Sequence, residues 1–150
     1  LKRYPRCDTF RPYGYYKEYL KFKTIFINNF LKRFNLSNYN YLVSVPSHES
    51  SDNNLNSIAL MIRDISKDSY YIDGSQTLIR YKDIEPQKFQ GKRYEITHLN
   101  SIKVNANVKG KNIILIDDIT TSGSSIRACK KLLLDAGAAN VICFAFAKTS

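Results

Sequence analysis

Two adjacent carboxylates, Asp117 and Asp118, end a short apolar run, and a hydroxyl-rich turn follows: Thr120, Thr121, Ser122, Gly123, Ser124 and Ser125. Carboxylates of this kind accept hydrogen bonds from sugar hydroxyls, or hold the waters of Mg²⁺, a hard cation that prefers oxygen. The turn supplies hydroxyls and one residue free to adopt unusual backbone angles. With a helix starting behind it, unpaired backbone N–H groups and the positive end of the helix dipole converge on one point, which holds a phosphate without a lysine. Together the two halves have the chemistry of a sugar-phosphate site.

The flanking sequence says how such a site would be positioned. Ile113, Ile114, Leu115 and Ile116 read as a strand buried on both faces of a parallel sheet. The aspartates then stand at its C-terminal end, where open α/β sheets place their ligands. From Ser124 to Ala136 the apolar residues Ile126, Cys129, Leu132, Leu133 and Ala136 recur at the spacing of one helical face, and Gly137 is a natural stop. Residues 141–147, VICFAFA, read as a second fully buried strand, which completes a βαβ unit. Upstream, the pattern predicts a helix at about 17–34, a strand at 41–45, a helix at 53–66, a strand near 69–73 and a helix or turn near 75–83. Alternating elements in one domain of 150 residues predict a three-layer α/β fold, a central, mostly parallel sheet flanked by helices. Gly91 and Gly110 bracket the segment expected to be most flexible.

Other sites with an acidic pair are excluded. A nucleotide hydrolase would need a G-x-x-x-x-G-K-[ST] loop, and the chain has none. A phospho-acceptor receiver domain would carry its acidic pair near the start of the unit, but only 33 residues follow Asp117. No Ser-His-Asp arrangement or metal-ligand spacing is visible, and His98 has no evident partner.

Residues 113–125 resemble the phosphoribosyl pyrophosphate (PRPP) motif of type I phosphoribosyltransferases: an apolar strand, an acidic pair and a T-x-G-[ST] turn. The resemblance extends toward the ComF-type branch associated with competence. Residues 41–48, YLVSVPSH, are similar to its strand and V-P-x-H pyrophosphate loop, and Leu55-Asn56 to its F-N-Q element. Arg80, Lys82, Asp83, Pro86 and Gln87, with Arg93 beyond, follow its R-x-[RK]-D-x-x-P-Q segment. The chain departs from the branch at 49–54, where Glu49, Ser50, Ser51, Asp52, Asn53 and Asn54 replace arginines, and at Cys7, which stands alone where a zinc ribbon often occurs. Thr121 stands where purine-salvage members carry an acidic residue.

The resemblance implies a type I phosphoribosyltransferase-like fold and transfer of the phosphoribosyl group from PRPP to a nucleobase or amine acceptor that the sequence does not identify, with Mg²⁺ as cofactor. It implies that Asp117 and Asp118 hold the ribose hydroxyls and the Mg²⁺-linked waters, with no direct metal ligand assigned. Thr120, Thr121, Ser122, Gly123, Ser124 and Ser125 then bind the 5′-phosphate, and Ser47 and His48 the pyrophosphate. Arg80, Lys82, Gln87 and Arg93 belong to a flexible basic hood, residues 80–112, that closes over the leaving group. The alternative is a non-catalytic PRPP-binding module that regulates nucleic-acid processes or DNA uptake.

Charge is uneven. The chain carries +10 overall, with +7 over 1–40, −3 over 41–79, +5 over 80–112 and +1 over 113–150. The basic 80–112 segment has a polyanion such as PRPP to neutralise. In 1–40, a lid and helix region, cations alternate with rings from Lys2 to Lys17, so single-stranded DNA is the alternative partner there. Leu20, Phe26, Ile27, Phe30, Leu31 and Phe34 instead fit the apolar face of an amphipathic helix. Homodimerisation is compatible with the same expectation. No apolar run reaches the roughly 18 residues of a membrane span, and three cysteines, two in elements expected to be buried, point to a reduced, cytoplasmic compartment. Leu1 is not read as a natural start, so an upstream piece, a zinc ribbon included, stays open.

Overall fold

A computed structural model describes residues 20–48, 50, 56–67, 70–85, 92–120 and 122–148. Four strands, β1 (Tyr41–Ser44), β2 (Ile72–Gly74), β5 (Asn112–Thr120) and β6 (Asn140–Lys148), form a parallel sheet in the order β2-β1-β5-β6. Helices α1 (Phe26–Leu31), α2 (Ser57–Lys67), α3 (Lys92–Leu99) and α4 (Ser124–Asp135) accompany it. A separate antiparallel pair, β3 (Leu78–Arg80) and β4 (Ile102–Val104), frames α3 in sequence.

Strand β5 makes the layers. Side chains alternate across a strand, so Ile113 and Leu115 enter one core with Tyr41, Val43, Ile126, Cys129 and Leu133, on the α4 side. Ile114 and Ile116 enter the other, with Leu42, Ile58, Met61, Ile62, Phe26 and Phe30, on the side of α1 and α2. All four β5 residues are fully buried, each contributing on the order of 1.5–3 kcal/mol by leaving water. An unbroken apolar run is what a two-faced strand requires, and the α/β architecture expected from the sequence is the one observed.

Several local expectations are corrected. β5 runs on through the aspartates to Thr120, because β6 stays paired beside it as far as Thr120↔Lys148. β6 is the sheet's edge and only partly buried, so Cys143 is exposed while Cys129 is buried. Residues 78–80 form a strand rather than a helix or turn. Ala136 is exposed at the end of α4, where Gly137 at φ +101° lets the chain leave the helix. Residues 20–25 are α-helical and pass into a π-helical turn at α1, which turns Phe26 and Phe30 together onto Phe144 of β6, with ring centroids at 5.5 and 4.2 Å. Phe34 falls out of that phase and is 58% exposed. An ion pair between Lys23 and Asp64 links this helical segment to α2. Within 80–112 the described residues include α3 and β4. Lys2 to Lys17, the alternating basic and aromatic stretch, lies outside the described residues.

Gly74 marks the closest strand approach. A Cβ there would stand 2.4 Å from the Leu42 carbonyl oxygen and 2.5 Å from the Tyr41 ring, and a backbone atom cannot move aside cheaply. Gly74→Ala is expected to destabilise the fold by about 1–3 kcal/mol, as overpacking does, measured as a lower urea midpoint at unchanged slope.

Candidate functional site

The two crossovers of the sheet diverge. From β1 the chain passes through α2 on one face to β2; from β5 it passes through α4 on the other face to β6. Loops leaving the carboxyl ends of adjacent β1 and β5 therefore separate, opening the crevice in which doubly wound sheets bind ligands. β1 pairs with β5 only as far as Ser44↔Ile116, with one further rung from the Val45 N–H to the Ile116 carbonyl at 2.9 Å. From Asp117 onward β5 has lost that neighbour, and a cavity of about 270 Å³ takes its place, lined by Ser47, His48, Asn56, His98, Asp117 and Asp118 among others. A second cavity of about 160 Å³ reaches Tyr94, Thr120 and Ser122 to Ser125. His48, His98, Ile119 and Ser125 line both.

Asp117 is 8% exposed. Its Oδ1 accepts the Asp118 backbone N–H at 2.8 Å, and its Oδ2 lies 3.5 Å from the Ser125 hydroxyl. Burial, and then the adjoining Asp118 carboxylate, push the Asp117 carboxyl well above the usual carboxylate range. Hydroxyl donors or a cation arriving at this pair would relieve that cost.

The turn after β5 starts α4 at Gly123, whose φ of +77° suits glycine. A Cβ there would also meet the Arg127 guanidinium at 2.9 Å. Arg127, which the sequence reading missed, donates to the Ser122 carbonyl at 2.8 Å and to Glu95 of α3 at 3.0 Å, so it braces the turn against α3. The Ser122 and Ser124 hydroxyls are paired at 2.8 Å. Thr120 ends β5 with its hydroxyl buried and without a hydrogen-bond partner. Thr121 lies outside the described residues.

The loop after β1 is held from three sides. Asn56 caps α2, accepting the Ala59 N–H at 2.8 Å, and donates to the Val45 carbonyl at 3.4 Å. Asp83 accepts both the backbone N–H and the hydroxyl of Ser50, at 2.7 and 2.6 Å. Arg80 donates to the Ser47 carbonyl. His48 is exposed at the cavity mouth, where its Nε2 meets the Tyr94 hydroxyl at 3.0 Å. Desolvation by the cavity wall, and then Arg80, hold its imidazole below the usual range, against the pull of Asp118.

Of the hood residues, the structure describes the side chains of Arg80 and Lys82. Arg80 is 1% exposed and bound to Ser47, to the Ser101 hydroxyl and to His98 Nδ1 at 3.1 Å. Its place in β3, opposite Ile102, turns it inward, which makes it an internal anchor rather than a residue that swings over a leaving group. Lys82 is exposed and lines neither cavity. Arg93 belongs to α3, and Gln87 lies outside the described residues. His98, which had no evident partner in sequence, lies at the centre of the site. Only a contact spanning 18 residues, Arg80 to His98, reveals it.

Residues 55–150 match the family described as the phosphoribosyl transferase domain, and the chain belongs to that family. A ribose-phosphate pyrophosphokinase of Pyrococcus furiosus is 27% identical over 77 residues, which cover 51% of this chain and 28% of that protein. The match thus spans little more than a quarter of that relative. Among the described residues no helix is long and apolar enough to cross a membrane.

Burial, and then the charges of Arg80 and His48, lower the His98 pKa from 6.5 to about 3. A depressed imidazole contributes stability that is fully present above its unfolded pKa and is lost as pH falls toward the folded one. Asp117, raised, has the opposite sign, so comparing variants isolates His98. Between pH 6.5 and about 4 the wild type should lose stability relative to His98→Asn by up to ~1.4 kcal/mol per pH unit. Urea unfolding at a series of pH values checks this; parallel curves would show that His98 is not buried as a neutral ring.

Proposed function

We propose that the chain binds PRPP together with Mg²⁺ across the two adjoining cavities and transfers the phosphoribosyl group to a nitrogen nucleophile, releasing pyrophosphate. The observation that carries this reading is the convergence of three groups at one switch point: the aspartate pair, the hydroxyl turn at the start of α4, and the loop after β1. In this reading the turn from Thr120 to Ser125 takes the 5′-phosphate, Asp117 and Asp118 take the ribose hydroxyls, and Ser47 and His48 face the pyrophosphate. The bond from the anomeric carbon to the pyrophosphate oxygen breaks, a bond to the acceptor nitrogen forms, and the nitrogen's proton leaves. Positioning and charge stabilisation supply the catalysis.

The donor set suits Mg²⁺. Among the described residues no group of three or more His, Cys, Asp or Glu could hold a metal, and Mg²⁺ commonly rests on one or two carboxylates, waters and substrate phosphates. Asp117 and Asp118 offer the carboxylates. When bound, the ion neutralises charge on the pyrophosphate. The order of V-P-S-H, R-x-K-D and P-Q elements further favours the ComF-type branch, which leaves the acceptor open between a nucleobase and another amine.

Calorimetric titration with PRPP is expected to show saturable, Mg²⁺-dependent binding in the wild type. Asp117→Asn with Asp118→Asn should weaken it at least about a hundredfold, as loss of charged hydrogen-bonding groups does, while the domain stays folded by circular dichroism. Unchanged affinity in the double variant would remove the central assignment. Binding with no pyrophosphate release over a panel of bases and amines would favour a non-catalytic PRPP-binding module, and a salt-dependent shift of single-stranded DNA would then be sought.

A further inference from the structure

Two residues that line the cavity beside the α4 turn each carry a buried polar atom that no group among the described residues satisfies. One is the Thr120 hydroxyl and the other is Nε2 of His98, a residue 1% exposed. Buried polar atoms in folded proteins are nearly always paired, so orphans on two residues that line one cavity point to a partner that is not protein.

The tautomer of His98 follows from its neighbour. Arg80 bonds His98 Nδ1 at 3.1 Å, and a guanidinium has only donors. Nδ1 must therefore be the acceptor, and the proton of the neutral ring sits on Nε2. The edge of the Tyr94–His98 pair, with centroids at 4.5 Å and planes at 80°, fixes the ring's orientation. The strongly depressed pKa agrees, since a ring beside a buried guanidinium does not take a second proton. His98 thus brings to the lining of the cavity a neutral, pre-oriented ring whose Nε2–H has no partner among the described residues. The same cavity is lined by Ser122, Ser124 and Ser125, at the N-terminus of the 12-residue α4.

We propose that His98 of α3 is a direct ligand of the phosphate monoester bound at the α4 turn, its Nε2–H adding a donor from a second element to those of the turn. The inference rests on the 5′-phosphate assignment made above and adds to it a donor from a different element. Donor groups from two elements select an anion that accepts from several directions. A phosphate monoester dianion does so, and the neutral ring contributes without bringing a charge that would need neutralising when the site is empty.

The test uses the whole chain with histidine labelled in ¹⁵N, and ribose 5-phosphate as the probe. His98 should appear as the Nε2–H tautomer, and its Nε2–H resonance should move and become protected from exchange on titration, along with the amides of Ser122 to Ser125. In His98→Asn the side-chain carbonyl can still accept from Arg80, which preserves the fold, but the side chain is too short to reach the cavity. Its affinity for ribose 5-phosphate should fall at least about tenfold. Moving turn amides with a static His98 resonance and undiminished affinity in His98→Asn would overturn the role of His98 and leave the phosphate site standing. No response anywhere in the folded wild type would overturn both.

Discussion

A guanidinium buried where water hardly reaches must find acceptors, and the acceptors chosen by Arg80 set the geometry of the whole site. Its partners come from three places: the carbonyl of Ser47 in the loop after β1, the hydroxyl of Ser101 before β4, and Nδ1 of His98 on α3. Each accepts from the guanidinium, and leaving a buried acceptor unpaired would cost on the order of 1–3 kcal/mol. The loop, the small antiparallel sheet and α3 are thus drawn to one cation. Loosening that cation to serve a ligand would release all three.

Around this anchor the site divides its chemistry between neutral donors and acidic acceptors. The turn at α4 and the ring of His98 offer N–H and O–H groups, whereas Asp117 and Asp118 offer only acceptors. A sugar phosphate has the matching polarity, anionic at one end and rich in hydroxyls next to it. The burial of Asp117 makes its charge costly, a cost that a hydroxyl donor or a cation at the pair would relieve.

The loop after β1 and the turn after β5 are tied together by α3. Tyr94 holds His48, Glu95 holds Arg127 and through it the Ser122 carbonyl, and His98 faces the shared wall of the cavities. One short helix, polar on average, touches the loop after β1 and the turn after β5. A change in its position would be felt at both.

The apolar run at 113–116, the aspartate pair, the hydroxyl turn and the glycine stop after α4 were legible in the residues, because each is local: a buried strand, a loop and a helix end are written in consecutive side chains. The parallel sheet followed from the alternation of such segments. The sequence could not say that β5 runs on through the aspartates, since that depends on how far β6 stays paired beside it. It could not show the partners of Arg80 or the position of His98, because hydrogen bonds across 18 to 33 residues depend on where separate elements come to rest. Arg80 looked like a mobile clamp because a charged residue is expected at the surface; only strand pairing with β4 turned it inward, where burial converted a free cation into a fixed anchor. The residue types for the chemistry were set by sequence, and the tertiary structure alone decided which of them line the cavities and which hold the others in place.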